Sequence, residues 1–210
     1  MQKNKSYLWR LLMAFVLASI FFLLIFSVVY GASYLNYMSV KGQTNVIQGY
    51  LKEMSVFVNN SVCSTSFVYE ASVRLDDAGA RIGLLEIRIG KDDARVLEQK
   101  KIYSEIEIKH FEIVKFLRDE CNMDYLPVLF FYSNSDEFKD ASESMGYILG
   151  AFKNEYKNKV MIYSFDVDLD SDSIGLLKEE YNVTKVPAAV VNEKHLVYPM
   201  NIRELEAYLK

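Results

Sequence analysis

Two cysteines and two histidines are the chain's whole stock of thiols and imidazoles, and beside them the sequence carries one alternating run of aspartates. Cys63 and Cys121 lie at closely similar sequence distances on either side of Gly90. If the chain folds back at Gly90 as an antiparallel helical hairpin, the two thiols fall within roughly one helical turn of each other. The pair is expected to form a structural disulfide, with a redox-active couple or two free thiols as the alternatives. A disulfide closing so long a loop stabilises by about 4 kcal/mol in the chain-entropy picture. A redox couple works through thiolates, and this pair lacks the short local spacing that lowers a thiol pKa. His110 falls on an apolar stripe with no Cys, Asp or second His four residues away. It reads as a polar residue at the edge of a core rather than a metal ligand or pH switch. Asp166, Asp168, Asp170 and Asp172 alternate like the first ligands of a calcium loop. Position six, however, is Ser171 instead of Gly, and position twelve is Leu177 instead of Glu. The run reads as a strand end leading into a capped helix. Neither a metal nor a cofactor is expected.

Composition narrows the class. The chain has 210 residues, 51% hydrophobic and 25% charged, with only 3 Pro and 9 Gly. That excludes a disordered, collagen-like or low-complexity chain. Two Cys and two His exclude a Cys-rich zinc module. A net charge of −4 argues against a nucleic-acid partner.

The elements that must position the thiols begin with a membrane anchor. Leu11 to Tyr30 carries no charge. As a helix of about 20 residues it is about 30 Å long, the thickness of a bilayer's hydrocarbon core. Lys3, Lys5 and Arg10 precede it without an acid, and the first charge after it is Lys41. The positive-inside rule then places residues 1–10 as a cytoplasmic tail, 11–30 as a transmembrane helix and the remainder outside the cytoplasm. Gly31 and Ser33 leave cleavage as a signal peptide open, although the apolar run is long for one. All the acids lie beyond Tyr30, so the exported part is more acidic than the whole chain and anionic lipid does not attract it.

Residues 31–123 read as an extracytoplasmic helical stalk. No Pro occurs before Pro127. Apolar residues at Val68, Ala71, Leu75, Ala78, Ile82, Leu85 and Ile89 follow a three-four spacing, and Val96, Gln99, Tyr103, Ile106, His110, Ile113 and Leu117 repeat it. Gly90-Lys91-Asp92-Asp93 between them is a helix stop followed by an acidic cap. The reading is a coiled-coil hairpin over 66–89 and 92–120, with a further helix over 43–60 nearer the membrane. Gly79 and Gly83, and later Gly146 and Gly150, are spaced for close packing of helices. Asn59 and Asn182 begin glycosylation sequons.

Residues 124–210 read as a small α/β domain. Leu126 to Tyr132 and Val160 to Phe165 are continuous apolar runs, which suit buried strands. A helix pattern from Ser135 to about Lys157 links them. Ser171 caps a second helix to about Tyr181. Ala188–Val191 and His195–Tyr198 flank a hairpin turn at Asn192-Glu193-Lys194, and Asn201 to Leu209 is a last helix. The order βαβαββα makes the first two strands parallel.

Two segments of this domain resemble the thioredoxin superfamily. PVLFFYSNSDEFKD (Pro127 to Asp140) is similar to its first strand, active-site turn and helix start. YSFDVDLDSDSIGLLKEEYNVTKVPAAVV (Tyr163 to Val191) is similar to its central strand, following helix and cis-proline loop, with Pro187 as the cis-proline. The family's Cys-x-x-Cys would fall at Ser135, Asp136, Glu137 and Phe138, where both thiols are missing. The resemblance therefore implies a thioredoxin-like domain without the family's dithiol, behind a helical hairpin stalk and one transmembrane helix. It also implies a peptide-binding face at Ser135, Phe138, Val186, Pro187 and Ala188.

The expected function is accordingly a redox-inactive, non-enzymatic interaction or assembly module at the cell membrane, with no catalytic residue. An unknown protein partner and self-association through the stalk would be its contacts. The alternative is a thiol–disulfide oxidoreductase using Cys63 and Cys121.

Overall fold

The computed structural model describes residues 2–59, 63, 66–157 and 159–209, with side chains except at 2–6, 50, 53–55, 57–59, 66 and 67. The chain is mostly helical, with one small mixed sheet. Its elements run α1 (Gln2–Asn59), α2 (Ser66–Ile89), α3 (Ala94–Cys121), β1 (Leu126–Tyr132), α4 (Lys139–Glu155), β2 (Val160–Asp166), α5 (Asp172–Glu180), β3 (Ala188–Val191), β4 (His195–Val197) and α6 (Ile202–Glu206).

The first helix differs from expectation. The apolar stretch and the membrane-proximal stalk, read as separate helices, are one continuous α1. The only breakers between them are isolated glycines, Gly31 and Gly42. Each costs about 1 kcal/mol against Ala in a helix interior, too little to interrupt a long helix with no proline. α1 holds the one stretch long and apolar enough to cross a membrane among the described residues, with a mean hydropathy of 2.9 and none of it buried against the rest of the chain. Phe15, Phe21, Phe22 and Phe26 all stand exposed along it. A helix that is apolar all round and packs on nothing in its own chain is suited to lipid.

Beyond that stretch α1 turns amphipathic. Val40, Ile47 and Leu51 are buried against α2 and α3. Thr44 Oγ1 hydrogen-bonds Gln99 Oε1 at 3.2 Å, and Gln43 Nε2 donates to Asp77 at 3.0 Å. α2 and α3 are antiparallel, as three rungs show: His110 on Val68, Tyr103 on Leu75 and Lys100 on Glu86. Gly90, at φ 95°, ends α2 in a left-handed conformation open to glycine. Asp93 caps α3 through the Arg95 amide at 2.9 Å.

The sheet has the strand order β2-β1-β3-β4. β1 pairs parallel with β2 and antiparallel with β3, and β3 and β4 form a hairpin. β1 is central and buried on both faces, which explains its unbroken apolar run. Leu129, Phe131, Tyr163 and Phe165 point toward α2, α3 and α5; Val128, Phe130, Val160 and Ala189 point toward α4 and α6. At the tip of the β3–β4 hairpin, Asn192 and Glu193 both adopt positive φ, 54° and 59°.

The start of α4 also departs from expectation. The helix begins at Lys139, not at Ser135. The Ser135 carbonyl accepts from the Phe138 and Lys139 amides at 3.0 and 2.9 Å, closing a separate turn. Its hydroxyl caps nothing, because it is engaged with Ser133 Oγ at 2.7 Å. The sequon at Asn59 lies outside the described side chains. Asn182 is exposed just beyond α5.

Candidate functional site

Cys63 and Cys121 are joined in a disulfide, with Cα atoms 5.7 Å apart. Cys121 is the last residue of α3 and half-buried; Cys63 lies in the connection from α1 to α2 and is exposed. The helix end that presents Cys121 is well fixed. Asn122 takes the left-handed conformation at φ 53°, and the amides of Asn122 and Met123 both return to Leu117 O. One turn back, Arg118 donates to Asn192 Oδ1 at 3.0 Å and pairs with Glu193 and Asp119. Lys115 reaches the other oxygen of Glu193 at 2.6 Å. The hairpin tip is thus clamped to the helix end that carries the sulfur.

Chemically, Cys121 sits where the unpaired carbonyls of α3 concentrate negative potential. A thiolate is disfavoured there, and Arg118, one turn back, is already committed to carboxylates. Cys63 is the more exposed residue of the pair. The bonded and accessible pair overturns the expectation of a redox-inactive, non-enzymatic module without a catalytic residue, because the chain does hold a redox-capable centre. That centre lies in the helical part rather than at the turn around Ser135.

The two ends of the molecule separate the sites proposed from sequence. Ser135 follows the C-terminal end of β1, and the pairing of Ala188 with Phe131 brings Val186 and Pro187 to the same end. Ser135 is exposed, Phe138, Val186 and Pro187 are half-buried, Ala188 is buried, and the Val186–Pro187 peptide is cis. Cys121 lies beside the opposite end. The seven residues of β1 keep the two apart by about 23 Å. The Ser135 end is also the one nearer the apolar stretch. Lys91, in the α2–α3 turn, donates to Asn134 O at 2.6 Å, and Tyr37 of α1 reaches Glu98 at 3.0 Å. The disulfide stands at the far end of α3, about 40 Å away along a helix of 28 residues.

A second polar centre went unread in the sequence. Lys100, buried on α3, bonds Glu86 of α2 at 2.8 Å and Asp166 of β2, and lies 5.7 Å from the Tyr132 ring centre. Burial alone would push its ammonium pKa down; Tyr132, Asp166 and Glu86 outweigh that and raise it. Asp166 also accepts from Asn134 Nδ2 at 2.7 Å. Asp168 accepts from Ser133 Oγ and the Asn134 amide at 2.9 and 2.7 Å. Asp166 and Asp168 therefore serve internal bonds, and no cluster of metal-ligating side chains exists among the described residues.

Two turns further along α3, Glu107 is 2% exposed. Its Oε1 accepts the Ser164 amide of the edge strand β2 at 3.0 Å, while Oε2 has no hydrogen-bond partner among the described residues. Burial pushes this carboxyl up to about 8, against the opposing influence of the Ser164 amide, of Lys153 and of the neighbouring Tyr103 hydroxyl. His110, one turn on, is fully buried rather than at the core edge. Its Nε2 faces Val68 O at 3.2 Å and so donates, leaving Nδ1 to accept from the Tyr163 hydroxyl at 2.9 Å. Burial lowers its pKa to about 4.

These two groups give opposite pH slopes. A raised carboxyl stabilises the fold fully below about 4.5, its ordinary value, and the contribution is lost as pH climbs toward 8. A depressed histidine contributes fully above about 6.5 and loses the contribution as pH falls toward 4. Between pH 6.5 and 8 only Glu107 acts. Wild type should lose stability there by up to about 1.4 kcal/mol per pH unit, and Glu107→Gln should be flat in urea unfolding over that range. Parallel curves would show Glu107 ionised throughout.

Glu107 opens onto a cleft of about 350 Å³ between α2, α3, β2 and α4. The glycine pairs line it, and close packing accounts for only part of them. A Cβ on Gly79 would meet the Tyr103 hydroxyl at 2.8 Å, but one on Gly83 or Gly150 would meet nothing within 4 Å. Gly83→Ala and Gly150→Ala should each raise stability by about 0.5–1 kcal/mol through helix propensity. Gly79→Ala should instead lower the midpoint of thermal unfolding. Equal gains at all three positions would contradict the contact with Tyr103.

Neither a protein-family model nor a curated protein matches this chain.

Proposed function

We propose that the protein is a membrane-tethered thiol–disulfide exchange protein whose redox centre is Cys63–Cys121. The observation that carries this reading is the accessible disulfide, formed by the chain's two cysteines at the end of the stalk farthest from the apolar stretch. The basic residues before that stretch favour an N-terminus in the cytoplasm and a disulfide outside it, in a compartment where such bonds persist. The resemblance of residues 124–210 to thioredoxin-like domains, with their βαβαββα order, supports a redox setting. Here the α/β unit would brace α3 while the sulfur chemistry is done on the stalk. The face at Ser135, Phe138, Val186, Pro187 and Ala188 would be no part of the exchange centre, since it lies at the other end of β1.

In the exchange, a partner thiolate attacks Cys63 Sγ and forms a mixed disulfide, expelling Cys121 as a thiolate that takes up a proton. A second partner thiolate then attacks the partner sulfur of the mixed disulfide. A partner disulfide forms, Cys63 leaves and is protonated, and the chain ends as a dithiol. Run backward, the dithiol reduces a partner disulfide. The negative end of α3 makes Cys121 a poor leaving group, so the bond forms more readily than it breaks, and the reduced chain is the better donor.

The test uses the full chain in detergent, reduced and then given insulin. Insulin disulfides should be reduced with matching oxidation of the chain, and Cys63→Ser should abolish the transfer. Reduction and reoxidation of the chain without any transfer would leave the bond a staple alone. Limited alkylation of the reduced chain provides a second check. Cys63 should react at least about tenfold faster than Cys121, as read by peptide mass spectrometry, because exposure and thiolate character both favour it.

A further inference from the structure

The cleft bounded by α2, α3, β2 and α4 has no part in the disulfide chemistry, yet it is built in a way that packing alone does not require. Helices tend to close on one another where glycines face, but Gly83 on α2 and Gly150 on α4 look into open space. Filling either with a larger residue would close the cleft and bury more apolar surface. The volume, about 350 Å³, falls within the range of small-molecule sites, about 300–1,000 Å³. The one buried carboxylate oxygen without a partner along its walls, Glu107 Oε2, belongs to a residue 2% exposed; the Tyr103 hydroxyl beside it gives its proton to Leu75 O at 3.1 Å instead. An unpaired buried polar atom is costly, and a bound ligand with a hydrogen-bond donor would satisfy it.

The charges around the cleft choose the ligand. Lys100 is matched by Glu86 and Asp166, and Lys153 by Asp76. Neither cation is left over for an anion, and acids outnumber bases along the walls. Ile82, Phe130, Leu149 and Ile162 supply apolar wall. We propose that the cleft binds a small primary amine with an apolar body, its ammonium donating to Glu107 Oε2. Binding sheds the Glu107 proton to solvent and leaves an ammonium–carboxylate hydrogen bond, of the charge-assisted kind that is stronger than its neutral counterpart. Oε1 keeps the Ser164 amide throughout.

The experiment titrates the full chain in phosphatidylcholine nanodiscs, with empty nanodiscs as the blank. The probes are 2-phenylethylamine, 2-phenylethanol and 3-phenylpropionate, and the readout is calorimetric. The amine should bind saturably at one site, with the alcohol and the carboxylate at least about tenfold weaker, as expected for a lost charge-assisted bond. Glu107→Gln, which preserves the bond to Ser164, should weaken the amine by at least about tenfold. Gly150→Leu should do the same by filling the cleft. Gly83→Leu makes the same test from the opposite wall should Gly150→Leu lose its native circular dichroism. No saturable binding of the amine, equal binding of the alcohol, or full affinity in both Glu107→Gln and a leucine variant would overturn the proposal.

Discussion

Lys100→Met is expected to cost about 3–5 kcal/mol of stability, the usual result of removing one partner from a buried charge cluster. Lys100 is 5% exposed and Asp166 is 3% exposed. Without the ammonium, Asp166 would keep only the Asn134 amide group and the Asp168 backbone amide as donors, and Glu86 would face the cleft alone. Methionine fills much the same volume, so a cavity contributes little to the loss. The variant therefore isolates stranded charge from lost packing. Lys100→Met combined with Glu86→Gln and Asp166→Asn should recover part of the loss, because the stranded charges are then gone too. Urea unfolding monitored by circular dichroism measures both. A loss under about 1 kcal/mol for the single variant would mean that water reaches Asp166 and solvates it. That is well below what an unpaired buried carboxylate costs.

The location of this cluster shows where sequence reading stops. Strands β1 and β2 were legible as apolar runs because a strand buried on both faces has little choice of residue. The pairing of α2 with α3 was legible because a three-four spacing repeats on both sides of Gly90. Lys100 and Glu107 were not, because a charged residue flanking an apolar stripe looks the same in sequence whether it meets water or another element. What buries them is the edge of β2, which comes from a distant part of the chain and lies across α3. The glycine pairs carried a real signal of that meeting, but spacing alone does not tell a close contact, as at Gly79, from an opening, as at Gly83. The continuity of α1 was hidden by the change from uniformly apolar to amphipathic, which marks a change of surroundings and not a helix end.

The expectation of a redox-inactive module fails for a related reason. The turn at Ser135 falls where a resemblance to thioredoxin-like enzymes would put their thiols, and the missing sulfur there points to an inert domain. The cysteine pair is visible in the sequence, at matching distances from Gly90, and only its exposure is not. Whether a disulfide is a staple or a reagent depends on which sulfur an incoming thiolate can touch and how well the other leaves. Both are properties of the folded helix end. At that end, Arg118 is held by Glu193, so that its charge stabilises the hairpin in place of a Cys121 thiolate.

Removing the sulfurs one at a time should separate the two contributions of the bond. Cys63→Ser with Cys121→Ser is expected to lower stability by up to about 4 kcal/mol, the entropy that a loop of this length regains when opened. It is also expected to abolish exchange completely, because the chain has only two Cys. Cys121→Ala alone should lose the same stability but keep a reactive centre. Its Cys63 is accessible and has no resolving thiol, so oxidised glutathione should convert it to a stable mixed disulfide, heavier by one glutathione in intact mass. Cys63→Ala should form that adduct at least about tenfold more slowly, since Cys121 is half-buried at the negative end of α3. The asymmetry identifies which sulfur an incoming thiolate attacks, while transfer to insulin separates an exchange centre from a staple. Equal destabilisation by the two single variants is expected of either. Equal adduct rates in the two single variants would therefore remove Cys63 as the attacked sulfur, even if the loss of stability came out as expected.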